Sequence, residues 1–239
     1  MLRFYFLIFT SIPLVIYYIL LGRSIANHIE KYTEEQRYKY ALDLMHLIQK
    51  KGRIKTKAFG VENLPKEGGY VMFPNHQGKY DTLGIITTHE KPCTIMIDKS
   101  RSYLPLADEV TDVLQGCRLD KTNMRAQVES IIQVTKELIS GRRYIIFPEG
   151  GYDHNGNNLQ EFLPGSFKCA MKAKCPIVPV ALIDSYLPFG TNSLKPVNTQ
   201  VHYLKPLYYE DYKEMTSKEI SDYVKQVIGE TIAANVRVS

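Results

Sequence analysis

The sequence predicts an α/β domain, a central sheet flanked by helices, and three observations carry that reading. From about Ile54 onward, short β-rich runs alternate with stretches of helical periodicity. The length, 239 residues, suits one domain of moderate size plus an appendage. The appendage is visible at the amino terminus as an uncharged apolar run, so a membrane-anchoring helix is expected ahead of the domain.

That run, Phe4 to Leu21, reads "FYFLIFTSIPLVIYYILL" and is bracketed by Arg3 and Arg23. As one helix it would extend about 27 Å, close to the hydrocarbon thickness of a bilayer. A cleaved signal peptide is the competing reading. The run is longer than a usual signal core, and "LGRSIANH" offers no convincing small-x-small cleavage site, so residues 1–23 are expected to be a retained anchor, kinked at Pro13. Arg3 precedes the run, whereas Arg23, Lys31, Arg37 and Lys39 follow it, which places the rest of the chain on the cytoplasmic side of the membrane. The cysteines, Cys93, Cys117, Cys169 and Cys175, form no Cys-x-x-Cys pair and have no histidine at metal-ligand spacing. Free thiols in a reducing compartment agree with that side.

Residues 24–53 read as an amphipathic linker helix, because Ala41, Leu44, Leu47 and Ile48 recur at helical spacing with charges between them. The segment around its end gathers Lys50, Lys51, Arg53, Lys55 and Lys57, either to rest against anionic headgroups or to protect a solvated edge strand. Residues 54–239 then form the main domain. Its strand candidates are "YVMFPN", "PCTIMID", "GCRL", "YIIFPEG", "IVPVALI" and "TQVHYL". Helical patterns lie near Thr82–Thr88, Tyr103–Leu114, Asn123–Ser140, Gly165–Lys174 and Ser217–Ala234. The apolar Tyr103-Leu104-Pro105-Leu106 reads either as core or as a lipid-facing surface. No internal repeat or low-complexity tract interrupts the series.

A formal charge of +5 suggests an anionic partner without choosing between phosphate groups and a membrane surface. Nucleic acid is set aside. Tryptophan is absent, the seventeen tyrosines are scattered, and neither a helix-turn-helix pattern nor a stacked-aromatic RNA-binding signature is present.

Chemistry concentrates where strands should end. "NHQGKYD" sets His76 and Asp81 five residues apart, directly after the apolar "GYVMF". On one continuous helix such residues point roughly 140° away from each other, so the spacing asks for a turn, and Pro74 and Gly78 permit one. Asp81 then lies near the first turn of the next helix and can fold back onto His76. A carboxylate on one ring nitrogen fixes the tautomer and leaves the other nitrogen free to take a proton from a hydroxyl. A histidine with a helix-capping aspartate would leave the same pattern without catalysis. A second segment, "YIIFPEGGYDHNG", ends another apolar strand in Pro148-Glu149-Gly150-Gly151, and "PGSFKCAMKA" begins a helix whose amides, beside Lys168, suit an anion. Asp153, Asn155, Asn157 and Glu161 do not make a calcium loop, since Asn158 stands where glycine is needed and Pro164 where the bidentate glutamate is needed.

In order and spacing these pieces resemble the glycerolipid acyltransferase family typified by 1-acyl-sn-glycerol-3-phosphate acyltransferase, over residues 54–207. Asn75-His76 with Asp81 matches its first motif, Phe147-Pro148-Glu149-Gly150 its third, and Ile177-Val178-Pro179-Val180 its fourth. The resemblance implies a glycerol-3-phosphate acyltransferase-like mixed sheet, and acyl transfer from a thioester, acyl-CoA or acyl carrier protein, to the free hydroxyl of a lysophospholipid. Lysophosphatidate is the leading acceptor, giving phosphatidic acid, with another lysophospholipid or glycerol 3-phosphate as the alternative. His76 would be the general base and Asp81 its orienter, with no metal and no cofactor. Asn75, Glu149 and Gly150 would serve the acceptor, with Asp120, Lys121 and Lys168 as further substrate-binding candidates. Two departures matter. The second motif usually ends in an Asp-Arg-like pair but here gives Asp120-Lys121, and the third normally continues Thr-Arg but here gives Gly151-Tyr152. A lysine keeps charge and loses the bidentate fork, and an expected phosphate-facing arginine is missing. Lys121, Arg118, Arg125 or Lys168 are the substitutes the sequence offers.

Two other classes compete. A hydrolase would need a nucleophile, and there is no Gly-x-Ser-x-Gly elbow and no cysteine with a recognisable partner. A catalytically silent membrane scaffold has no evident reason to keep His76, Asp81 and Glu149 together.

Overall fold

The strand Tyr70–Pro74 is buried at every position, and its residues divide by alternation: Val71 and Phe73 enter one apolar layer, Tyr70 and Met72 the other. A strand covered on both faces has no polar side to show, which is why its sequence reads as a continuous apolar run. The structure is a computed structural model that describes residues 2–236. Residue 1 of the expected anchor segment and residues 237–239 of the main domain lie outside the described residues.

In chain order the elements are α1 (Leu2–Thr10), α2 (Ile12–Ala26), α3 (Glu34–Gly52), β1 (Ile54–Phe59), β2 (Tyr70–Pro74), α4 (Asp81–Ile86), β3 (Thr94–Asp98), α5 (Lys99–Ser102), α6 (Ala107–Val113), β4 (Cys117–Leu119), α7 (Met124–Ile139), β5 (Arg143–Ile145), α8 (Lys168–Ala173), β6 (Ile177–Ile183), α9 (Leu187–Gly190), β7 (Val197–Tyr203), α10 (Tyr209–Tyr212) and α11 (Ser217–Asn235). The strands form one seven-stranded sheet in the order β1-β7-β6-β2-β5-β3-β4. All neighbours are parallel except β6 and β7, so the sheet is mixed, as expected. One layer packs Val134 and Leu138 of α7, Cys169 of α8 and Ile220, Val224 and Ile228 of α11. The other packs Tyr38, Ala41 and Met45 of α3, Ile85 of α4 and Val113 of α6.

The expected anchor segment is a bent helix pair rather than one helix. No single described helix is long and apolar enough to cross a membrane; α1 and α2 together have the length and composition, but they meet at a bend of 81°. The break lies at Ser11 and Pro13, where proline lacks an N–H and would clash with the carbonyl four residues earlier in a continuous helix. Both ends of the run are tied to the domain. Arg3, 1% exposed, donates to the carbonyls of Pro188 at 2.8 Å and of Lys195, while Arg23 Nε lies 2.9 Å from Glu109 Oε1. Arg3 is therefore a structural contact rather than a free flanking charge. Gly22 lets α2 close on its neighbours, since a Cβ there would stand 2.4 Å from Tyr40 Oη.

Boundaries elsewhere shift for local reasons. The linker helix expected over 24–53 divides, because Thr33 caps α3 by accepting from Gln36 N while Gln36 Oε1 accepts from Thr33 N. The one expected over Tyr103–Leu114 is confined to α6, after Pro105 and a Leu106 backbone at φ 69°. Tyr103 and Leu104 in that approach are exposed, so they are not core. Strand β1 lies at the sheet edge with Lys55 and Lys57 exposed, as the edge-strand reading of that segment requires.

Beneath α3 and α4 lies a buried histidine that sequence reading passed over. His89 Nδ1 is 2.6 Å from the Lys91 carbonyl and Nε2 is 2.6 Å from Tyr70 Oη. A carbonyl only accepts, so Nδ1 carries the proton and Nε2 accepts from the tyrosine. Burial pushes its pKa down to about 4. The sign follows: His89 folds neutral, so its contribution is complete above the unfolded value near 6.5 and is lost as pH falls toward about 4. The protein should lose up to about 3 kcal/mol of stability across that window. Urea midpoints compared between wild type and His89→Gln at pH 7 and pH 4.5 check it; equal pH dependence in both would remove the assignment.

Candidate active site

Parallel strands bring their carboxyl ends to one edge, so the loops after β2, β5 and β6 converge there. Pro74 ends β2, and the next side chain carries the ladder on: Asn75 Oδ1 accepts from Leu182 N at 2.7 Å and Asn75 Nδ2 donates to Leu182 O at 3.1 Å. Asn75 is 1% exposed, with both polar atoms bonded to the Leu182 backbone. It fixes the loop. Gln77 adds a second brace, accepting from Ser185 N and donating to Leu182 O and Asn157 Oδ1.

The chain then turns and Asp81 opens α4. Its Oδ2 accepts from His76 Nδ1 at 2.7 Å, Gln77 N at 2.6 Å and Gly78 N at 2.9 Å. Two backbone donors hold the carboxylate so that the third bond sets the ring. A carboxylate accepts from an N–H, so neutral His76 carries its proton on Nδ1 and presents a bare Nε2. Nε2 has no hydrogen-bond partner among the described residues, and the His76 side chain remains 17% exposed. Phe147 stacks on the imidazole at 4.1 Å between centroids, and Tyr152 meets it edge-on at 4.7 Å.

Glu149 reaches the same loop from the β5 side. Its Oε1 accepts from His76 N at 3.1 Å and its Oε2 from Gln160 Nε2 at 2.7 Å. Burial raises its pKa, opposed by those hydrogen bonds and the nearby imidazole. Gly150 follows at φ 69°, a conformation that favours glycine, and its carbonyl accepts from Lys121 Nζ. Lys121 is also 2.7 Å from Asp98, whose carboxyl, despite a burial penalty, is held down to about 2 by hydrogen bonds from Lys121 and Ser100. Asp120 accepts from Lys99 at 3.2 Å and from Thr122. Lys168 is exposed at the start of α8, after a short 3-10 turn, and forms no ion pair or hydrogen bond among the described residues.

The structure thus brings together His76, Asp81, Glu149, Gly150 and Lys121, with Asp120 beside Lys99. It does not bring Lys168 to them through any contact. Sequence reading gave no part in the site to Gln77, Asn157, Gln160, Tyr152 or Arg101; the Arg101 guanidinium lies 5.2 Å from the Tyr152 ring centre. The four cysteines are free and buried, and burial pushes Cys93, Cys169 and Cys175 up to about 12, so they stay protonated.

Comparison with known proteins identifies the family and the fold. Residues 55–183 match the model of the family described as Acyltransferase. A 1-acyl-sn-glycerol-3-phosphate acyltransferase of Cocos nucifera is 29% identical over 156 residues, 64% of this chain and 49% of that one. One of Borreliella burgdorferi is 30% identical over 132 residues, 55% of this chain and 52% of that one. The chain spans about half the length of these curated relatives. The crystal structure of the 1-acyl-sn-glycerophosphate (LPA) acyltransferase PlsC from Thermotoga maritima superposes with a TM-score of 0.78 over 100% of this chain and 95% of that one, at 20% identity.

Proposed function

The chain belongs to the Acyltransferase family, and from that premise we propose that it transfers a fatty acyl group from acyl-CoA or acyl carrier protein to the free hydroxyl of 1-acyl-sn-glycerol 3-phosphate, yielding phosphatidic acid. One observation carries the reading: a histidine locked by a buried carboxylate on Nδ1, with Nε2 free of any partner among the described residues, at the convergence of three loops. Nε2 takes the hydroxyl proton as the oxygen attacks the thioester carbonyl. The tetrahedral adduct then collapses, the carbon–sulfur bond breaks, and the departing thiolate receives the proton from the imidazolium. Asp81 stabilises that cation and keeps the ring from rotating. Glu149 fixes the backbone of His76 through its N–H, so its part is to position the base. Lys121 straps Asp98 to the Gly150 carbonyl and so fixes the loop that follows Glu149.

The acceptor lives in the bilayer, and the bent α1–α2 pair supplies a surface to meet it. Leu2, Phe6 and Phe9 of α1 and Ile12, Ile16 and Leu20 of α2 are all exposed, an apolar stripe turned outward. With both ends of the run bonded to the domain, this surface rests in one leaflet rather than crossing. The free thiols favour the cytoplasmic side. Membranes holding the protein, supplied with labelled acyl-CoA or acyl carrier protein and a panel of lysophospholipids plus glycerol 3-phosphate, test the function. Lysophosphatidate should be the preferred acceptor. Preference for a zwitterionic lysophospholipid would reassign the substrate, and no transfer to any acceptor would overturn the reading.

A further inference from the structure

The third-motif loop lacks the arginine that its resemblance leads one to expect, and the cations suggested by sequence do not replace it. Arg118 is bonded to Asp108 at 2.8 Å and to Asp112 at 2.6 Å. Arg125 pairs with Glu129, Lys121 with Asp98 and Lys99 with Asp120. A cation already matched by a carboxylate has little field left for a ligand, and recruiting it breaks an existing pair. Lys168 is unpaired but touches nothing at the site.

Arg101 differs on each count. Among the described residues it has no carboxylate partner and no hydrogen bond; its guanidinium stands over the Tyr152 ring, with Cζ 5.2 Å from the ring centre. The same ring meets His76 at 4.7 Å, so Tyr152 stands between the base and an uncompensated guanidinium. The placement is braced. Asp98 caps α5, which carries Arg101, by accepting from Ser100 N, and Lys121 ties Asp98 to the Gly150 carbonyl two residues before Tyr152. Exposed Tyr103 and Leu104 follow directly, an apolar turn suited to the depth at which lipid headgroups begin.

We propose that Arg101, presented on the Tyr152 ring, binds the phosphate monoester of a substrate while His76 acts on the reacting oxygen. This rests on the acyl-transfer reading above. The two ring contacts of 4.7 and 5.2 Å limit the guanidinium-to-imidazole distance to about 10 Å, enough for one hydrogen bond at each end and a three-carbon glycerol unit between. Guanidinium is the group that grips phosphate through two parallel N–H donors, and an aromatic face holds it without neutralising its charge. Two substrates of the proposed reaction carry a phosphate monoester: lysophosphatidate, and acyl-CoA through its ribose 3′-phosphate.

Steady-state kinetics of Arg101→Gln and Arg101→Lys in the full chain separate the sources. Arg101→Gln should raise KM for lysophosphatidate by about 10- to 100-fold with kcat within threefold of wild type. Arg101→Lys should recover part of that loss, as a point charge without the fork. A rise confined to KM for acyl-CoA, absent when acyl carrier protein is the donor, would keep phosphate binding and place it on the donor. Unchanged KM for both substrates, or a fall in kcat alone, would overturn the proposal, the latter because Arg101 would then act only through Tyr152 on His76. Titration of a soluble short-chain lysophosphatidate into His76→Ala and into His76→Ala/Arg101→Gln reads binding without turnover. A tenfold or greater weakening by the second substitution supports the phosphate site even if acyl transfer fails, and equal binding rejects it.

Discussion

Replacing His76 with alanine should lower kcat by about 10² to 10⁴ and leave the protein folded. The size follows from the proposed role, since without Nε2 the acceptor hydroxyl must attack with no partner for its proton. KM should change little, because the imidazole meets the hydroxyl in the reacting complex and holds neither the lipid tail nor the headgroup. The fold should survive. Asp81 keeps its bonds from Gln77 N and Gly78 N, and the bond from His76 N to Glu149 belongs to the backbone and outlasts the side chain. What is lost is the stack on Phe147 and one charge-assisted bond, together about 1–3 kcal/mol. Initial rates with labelled donor, read beside a thermal melt, check both halves. A folded variant within threefold of wild type would remove His76 from the chemistry. A scaffold without catalysis would keep its biological activity through the same change.

How much of this was legible in the sequence depends on how far each contact reaches along the chain. His76 and Asp81 lie within one strand-turn-helix connection, so apolar run, proline, glycine and spacing together specify their meeting. Glu149 is visible as the end of a second buried strand, and parallel pairing of β2 with β5 does the rest. The braces were not legible. Gln77 bonds to Asn157 and Leu182, and Asn75 to Leu182 alone, through groups that carry no pattern: a backbone carbonyl has no sequence signature. The same limit hid Arg3, whose partners are carbonyls of Pro188 and Lys195; composition counted it as a charge beside a membrane span when its environment is protein. Lys121 was visible as a cation, and its pairing with Asp98 across the β3–β4 edge was not. Arg101 sits in a stretch without a motif, and only the fold lays it against Tyr152.

The bent pair gives the other large effect. Phe9 is 70% exposed and Leu20 62%, and neither belongs to the packed clusters of the domain. Their substitution should therefore cost the fold almost nothing. If the pair rests in a leaflet, each of these side chains contributes about 1.5–3 kcal/mol by leaving water. Phe9→Glu with Leu20→Glu removes both contributions and adds two carboxylates that resist burial and are repelled by anionic lipid, so vesicle binding should fall by about 10² or more. A deletion up to Ser24 would be a poorer test, because it also strips Leu7 from its cluster and Arg3 from its carbonyls and so exposes Ile54, Tyr80 and Phe189. Flotation with vesicles of phosphatidylcholine and phosphatidylglycerol, at low and at high salt, reads the outcome. Binding that persists in the double variant and vanishes with salt would transfer the membrane contact to the lysines near β1, since screening weakens charge and leaves apolar insertion intact. Activity supplies an independent reading. The double variant should lose turnover on a vesicle-embedded acceptor and keep it on a monomeric short-chain one, because His76 and Asp81 are set by the β2–α4 loop and its braces, none of which includes Phe9 or Leu20.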